Sequence, residues 1–204
     1  MRLVFDLGGV VFRWRPDEFL MRLLPMRAPN PTAARALAGT FFESFGGDWG
    51  EFDRGRIEVD ALVERIATRI GFRPDEARLV IDAIPDELQP IPATVDLLRR
   101  LHGVGRPLFF LSNMPLPYAA HLESAHDLFG CFQAGVFSSR VGLIKPEPAM
   151  FAHAARAFGA QPSELVLIDD IQGNVEAARA AGWRALRFDD AAQCAVDLAA
   201  IGLA

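Results

Sequence analysis

The chain has 204 residues, room for one α/β domain with an insertion, and its 51% hydrophobic and 23% charged residues make it too apolar for a disordered chain. A formal net charge of −5 leaves no basic footprint, which argues against nucleic acid or an anionic membrane surface as the main partner. The two cysteines, Cys131 and Cys194, have no metal-type spacing and fit a reducing cytoplasm, and no run is long and apolar enough to span a bilayer.

In chain order, Leu3–Phe5 reads as a short buried strand that stops at Asp6, rather than as a targeting signal. The next stretch has helical patterns only: Asp17–Leu24, Thr32–Phe45, Val59–Ile70 and Asp75–Ile84. Leu62, Ile66 and Ile70 share one helical face, and Pro25, Pro29, Pro31, Gly46–Gly47 and Pro74 separate the pieces. A further helix is predicted over Ala93–Leu101. Strands follow at Leu108–Leu111, Ala134–Phe137, Leu165–Ile168 and Ala185–Phe188. Helices Ala149–Phe158 and Val175–Ala181 end at Gly159 and Gly182, and a last helix begins near Asp190.

Apolar strands alternating with helices predict a doubly wound, Rossmann-like α/β fold with a parallel sheet. Ligands of such sheets bind at the C-terminal ends of the strands. One crossover does not need four helices. The economical organisation is a core of residues 1–13 and 89–204, with residues 14–88 as an inserted helical cap over the active face; the alternative is an elaborate multi-helix crossover.

Four places at or just after strand ends carry chemistry. Asp6 precedes Leu7-Gly8-Gly9, whose glycines let the backbone turn beside a ligand. Ser112 and the N–H of Asn113 can hold phosphate oxygens. Lys145, in a loop stiffened by Pro146 and Pro148, can neutralise a phosphate and a neighbouring carboxylate. Asp169 and Asp170 after an apolar strand suit Mg²⁺, a hard cation that takes oxygen ligands. Taken singly, each has an ordinary explanation: a turn or cap Asp, a Ser-Asn turn, a solvated lysine, an N-capping Asp beside an exposed one.

Taken in order, FDLGGVV, LSN, KPEP and LIDDIQGNVEAARAAG resemble the four motifs of the haloacid dehalogenase superfamily, and the inserted helices resemble its α-helical cap. The segment Trp49–Leu62 is similar to a stretch common in such caps. FDLGGV with the paired Asp-Asp resembles the bacterial sugar-phosphate phosphatases that include α-D-glucose-1-phosphate phosphatase. The resemblance implies a Mg²⁺-dependent phosphatase of small phosphorylated metabolites. In it Asp6 is the nucleophile that becomes phosphorylated, and Asp6, the Gly8 carbonyl, Asp170 and Asp169 hold or face the metal. Ser112 and Asn113 bind phosphate, and Lys145 stabilises the transition state.

One departure stands out. Phosphatases of this superfamily usually carry a second Asp two residues after the nucleophile, as acid and base; here that residue is Gly8. General acid–base help typically contributes on the order of 10²–10⁴-fold. Hydrolysis is expected over mutase chemistry, which needs proton shuttling both ways. His102, His121, His126 and His153 all fall in predicted helices, away from the motifs. A metal-independent 2-haloacid dehalogenase is the enzymatic alternative, disfavoured by the Asp169-Asp170 pair. A phospho-ligand sensor on a weakened scaffold is the non-catalytic one, kept open by Gly8. A response-regulator receiver is discarded, because its acidic pair follows the first strand. Trp14, Phe42, Phe45, Trp49 and Phe52 are candidate pocket-lining residues, and Arg54 is either a substrate contact or a surface ion pair. Oligomeric state is not readable from the sequence.

Overall fold

The computed structural model describes residues 1–43 and 46–203. Five parallel strands form one sheet: β1 (Arg2–Phe5), β2 (Leu108–Ser112), β3 (Ala134–Phe137), β4 (Leu165–Asp169) and β5 (Arg184–Arg187), in the order β3-β2-β1-β4-β5. All pairings are parallel, with Phe5 opposite Phe110 on one side and Ile168 on the other. The Rossmann-like α/β expectation holds. Strands buried on both faces must be apolar at nearly every position, as LVF, LFFL and LVLI are.

Side chains alternate across the sheet. Leu3, Phe5, Phe110, Val166 and Ile168 join one apolar cluster, which includes α6 (Pro92–Gly103), α7 (Leu116–Ala125) and α11 (Ala191–Ala200). Val4, Leu111, Leu165 and Leu167 pack on the other face against α9 (Pro148–Ala157) and α10 (Gln172–Ala180). A short helix, α8 (Ser138–Val141), follows β3 directly.

Between β1 and α6 lie α1 (Pro16–Leu23), α2 (Pro31–Phe42), α3 (Gly47–Asp53), α4 (Val59–Ile70) and α5 (Pro74–Glu87). The chain leaves and returns at one place. The N–H of Arg13 donates to Gln89 O (2.8 Å), and that of Ile91 donates to Val11 O (2.8 Å). Buried Glu87 accepts from Arg13 and Arg22 beside this crossing. Proline opens α1, α2, α5, α6 and α9, where its fixed φ suits a helix and its missing N–H costs nothing.

The structure differs from expectation at four points. The second predicted helix stops at Phe42, with Glu43 left-handed, and the end predicted at Ser44 and Phe45 lies outside the described residues. Helix α3 was not predicted, because Gly46–Gly47 at its start read as a breaker. Ser112 and Asp169 close their strands instead of following them. His126 is not helical: α7 ends at Ala125, and His126 is extended (φ −133°, ψ 129°). Among the described residues, no helix is long and apolar enough to cross a membrane.

Candidate active site

Strand order reverses at the centre of the sheet. The chain passes from β1 to β2 and β3 on one side, then returns to β4 and β5 on the other. Loops leaving β1 and β4 therefore diverge above their C-terminal ends and open a crevice. Asp6 and Asp169 stand there side by side, because the N–H of Asp6 continues the ladder onto Ile168 O (2.9 Å). Asp6, Asp169 and Asp170 each offer a carboxylate oxygen, and these oxygens all lie within 4.8 Å of one another.

Lys145 reaches this cluster from the loop after α8. Its side chain is fully buried, with Nζ 2.8 Å from Asp6 Oδ2 and 2.6 Å from Asp169 Oδ2. Burial by itself would lower the pKa of the ammonium. Asp169 and Asp6, close and hydrogen-bonded to it, outweigh burial and hold it above the ordinary lysine value. Asn113 fixes the loop: its Nδ2 donates to Lys145 O (2.9 Å) and its Oδ1 accepts from Lys145 N (2.8 Å). This clamping role of the Asn113 side chain escapes sequence reading, since nothing in LSN points to residue 145.

The three carboxylates differ. Asp169 is saturated: Oδ2 accepts from Lys145, Oδ1 from the N–H of Ile171 (2.9 Å), and both from Asn174 Nδ2. Asp6 Oδ1 accepts from the N–H of Leu7 (2.7 Å). Asp170 Oδ1 is buried without a hydrogen-bond partner. Burial pushes the Asp6 carboxyl up to about 7; Lys145 opposes this and Asp169 and Asp170 add to it. Asp170 rises to about 6, by burial and then by Asp169. Crowded acidic oxygens, one of them orphaned, are a fitting donor set for a hard divalent cation such as Mg²⁺.

Gly9 makes the cluster compact. Its φ is +79°, and a Cβ there would lie 2.4 Å from Asp170 Oδ2. Ser112 is buried with an unpartnered hydroxyl, as a residue awaiting an anion's oxygen would be.

A cavity of about 510 Å³ rises from this floor, which Asp6, Gly8, Asn113, Lys145 and Asp170 line. Its walls are chiefly Trp14, Phe42, Trp49, Ile84, Leu88 and Tyr118. Phe42 meets both Trp14 (5.2 Å between centroids) and Trp49 (4.7 Å) edge-on, so the aromatic wall is also a packed core. Phe52 does not line the cavity; it packs between Trp49 and Tyr118. Phe45 lies outside the described residues. Arg54 pairs with Glu51 (3.3 Å) and with Glu147, and so takes the ion-pair alternative. Sequence reading missed Asp53 as a buried residue of the cavity; the signal was an acidic residue directly after the aromatic Phe52, four positions beyond Trp49.

The sequence pattern of the haloacid dehalogenase-like hydrolases matches residues 2–182. The chain belongs to this family. A haloacid dehalogenase-like hydrolase generally uses Mg²⁺, in keeping with the acidic cluster. Among relatives, a sesquiterpene phosphatase of Aspergillus oryzae (astK) is 28% identical over 196 residues, covering 96% of this chain and 93% of that protein. A phosphoglycolate phosphatase of Thiobacillus denitrificans is 29% identical over 197 residues, 88% of this chain and 79% of its own. A family enzyme of Bacteroides thetaiotaomicron, solved with magnesium and inorganic phosphate, superposes with a TM-score of 0.70 at 20% identity, over 91% of this chain and 92% of that one. An L-2-haloacid dehalogenase of Xanthobacter autotrophicus superposes at 0.66 with 19% identity, over 91% and 76%. At such identities the two structures speak for the fold alone.

Proposed function

We propose that this haloacid dehalogenase-like hydrolase is a Mg²⁺-dependent phosphomonoesterase acting through a phosphorylated Asp6. The observation that carries the reading is the buried cluster: two carboxylates bridged by Lys145, with a third, Asp170, keeping a buried oxygen unpartnered. Residues 14–88 are the cap whose helices close the cavity over Asp6.

Phosphoryl transfer asks a protein mainly for positioning and charge stabilisation. Asp6 Oδ attacks phosphorus as the ester oxygen leaves, and water then attacks the aspartyl phosphate and frees Asp6. Lys145 favours the ionised form of Asp6 against burial and stabilises charge on the phosphoryl oxygens. Ser112 and the N–H of Asn113 hold two of those oxygens. Asp6, the Gly8 carbonyl and Asp170 would hold the metal, with Asp169 bound beside them and orienting Lys145. The bound cation supplies Lewis-acid neutralisation of the phosphoryl charge. Two facing carboxylates would repel a halocarboxylate substrate, which disfavours the dehalogenase reading.

The walls narrow the substrate class. A sugar phosphate, the class the motifs suggest, needs hydrogen-bonding walls, whereas the cavity offers chiefly indole, phenyl and aliphatic surface. An alkyl or isoprenoid monophosphate fits that surface better, and the relative named as a sesquiterpene phosphatase supports this choice.

The test is phosphate release from para-nitrophenyl phosphate, farnesyl phosphate, α-D-glucose 1-phosphate and phosphoglycolate, with Mg²⁺ or EDTA. Turnover that needs Mg²⁺, favours farnesyl phosphate in kcat/KM, and is lost in Asp6→Asn is expected. Equal turnover in EDTA would remove the metal role. Folded protein that binds phosphate esters without releasing phosphate would point to a sensor instead.

A further inference from the structure

A phosphatase without an acidic side chain at position 8 still has to protonate its leaving group. An alkoxide is a poor leaving group, and the need grows with the apolar alcohols proposed above. Nothing fills the vacant place: a Cβ on Gly8 would meet only Trp14 Cβ, at 3.8 Å. If the protein supplies the proton, it comes from another wall of the cavity.

Four carboxylates line it: Asp6, Asp17, Asp53 and Asp170. Asp6 and Asp170 belong to the acidic cluster. Asp17 is partly exposed in the first turn of α1, and its carboxylate already accepts from the N–H of Glu18. Asp53 is different. It is 5% exposed, and among the described residues its carboxyl has no hydrogen bond and no ion pair. The neighbouring guanidinium, Arg54, is turned away to Glu51 and Glu147.

The position of Asp53 is built by the core. Its carbonyl accepts from Ser138 Oγ (2.5 Å), and the same Oγ accepts from the N–H of Met114 (2.8 Å) at the end of the β2 loop. Arg54 reaches Glu147, two residues from Lys145. At Gly55, φ is +70° and a Cβ would lie 2.5 Å from Ser139 O, so the turn sits flush on α8. These contacts tie the end of α3 to the loops that carry Asn113 and Lys145.

We propose that Asp53 is the general acid and base of this enzyme, taking the place that Gly8 leaves empty; this rests on the phosphatase reading above. As the bond from Asp6 to phosphorus forms and the ester P–O bond breaks, the Asp53 proton passes to the ester oxygen. The products are an alcohol, an aspartyl phosphate and an ionised Asp53. Water then attacks phosphorus and gives a proton to Asp53, and the Asp6–phosphorus bond breaks to release phosphate. Both residues return to their starting states.

The carboxyl's surroundings favour the protonated form. Burial pushes Asp53 up to about 8; Arg54 opposes this, Asp6 adds to it and Lys145 opposes it. The Tyr118 phenol, the other titratable group facing it, is raised in turn by burial and donates to Ile81 O (3.0 Å).

The experiment compares kcat/KM on para-nitrophenyl phosphate, whose phenol leaves readily, with a primary alkyl phosphate, in wild type, Asp53→Asn and Asp53→Glu with saturating Mg²⁺. Asp53→Asn is expected to lose about 10²–10³-fold on the alkyl ester and at least tenfold less on the aryl ester. Asp53→Glu should recover part of the difference. In wild type, the alkyl ester alone should show a falling limb as pH rises toward 8, a readout that needs no variant to fold. Equal losses on the two esters, or the same pH profile for both, would overturn the assignment of Asp53 and leave the phosphatase standing. A wild type with no Mg²⁺-dependent turnover of either ester would overturn both.

Discussion

Lys145 and Asp170 show how the site depends on single positions. A buried ammonium is tolerated because two carboxylates surround it, and the unpartnered buried oxygen of Asp170 is one that the proposed cation would satisfy. Gly9 is what lets that oxygen stand where it does. Replacing Gly9 by Ala puts a side chain at a φ of +79°, where L-residues are strained by roughly 1–2 kcal/mol. It also drives a methyl group into the Asp170 carboxylate. Asp170 must rotate, so Gly9→Ala is expected to raise the Mg²⁺ concentration for half-maximal activity about 10–100-fold. A magnesium titration of the rate reads this. An unchanged half-saturation point would show that Asp170 does not hold the metal.

Elements place these residues, and they were unequally legible. The five strands could be read because branched and aromatic runs buried on both faces leave little else to be, and the strand ends delivered Asp6, Ser112 and Asp169 almost to the residue. The helices that open with proline were equally plain. Helix α3 was not, because its glycines argue locally against a helix that tertiary packing of Trp49 and Phe52 makes worthwhile. With α3 hidden, Asp53 had no visible address, and Ser138, which anchors it from 85 residues away, had no local signature. The Asn113 clamp on Lys145 was hidden for the same reason, a partner 32 residues distant. The α3 anchor can be broken by one methyl group. Gly55→Ala adds positive-φ strain and an overlap with Ser139 O, and is expected to cost about 1–3 kcal/mol. If the turn positions Asp53, Gly55→Ala will also lower kcat on alkyl phosphates more than on para-nitrophenyl phosphate. Steady-state kinetics of the purified, folded variant checks this; an equal fall on both esters would reduce Gly55 to a purely structural role.

At the scale of the whole molecule, the active site is held against a cost in stability. Asp53, Asp6 and Asp170 are raised from 3.8 to about 8, 7 and 6 in the folded chain. Between the ordinary value and the raised one, the folded state binds protons that the unfolded state has lost. The slope of stability with pH is therefore negative for each group. Metal-free protein should be more stable at pH 5 than at pH 8, with the loss complete once pH passes the highest of the three values. On the proposed reading, Mg²⁺ would reverse the balance at Asp6 and Asp170, by binding their ionised forms in competition with protons. Its stabilisation should grow with pH. At 100 times its Kd a ligand adds about 2.7 kcal/mol, and for a chain of this size that raises Tm by roughly 5–10 °C. Melting curves at pH 5 and pH 8, with EDTA or excess Mg²⁺, separate the contributions. The EDTA curves should drop toward pH 8, and the Mg²⁺ shift should be larger at pH 8 than at pH 5. Asp53→Asn, which cannot ionise at this position, should make the EDTA dependence shallower, leaving the part due to Asp6 and Asp170, and keep the growth of the Mg²⁺ shift in place, since Asp53 stands apart from the acidic cluster. A Tm independent of pH in EDTA would mean that these carboxyls ionise in the folded chain as freely as in the unfolded one, and the electrostatic account of the cavity would fall with it.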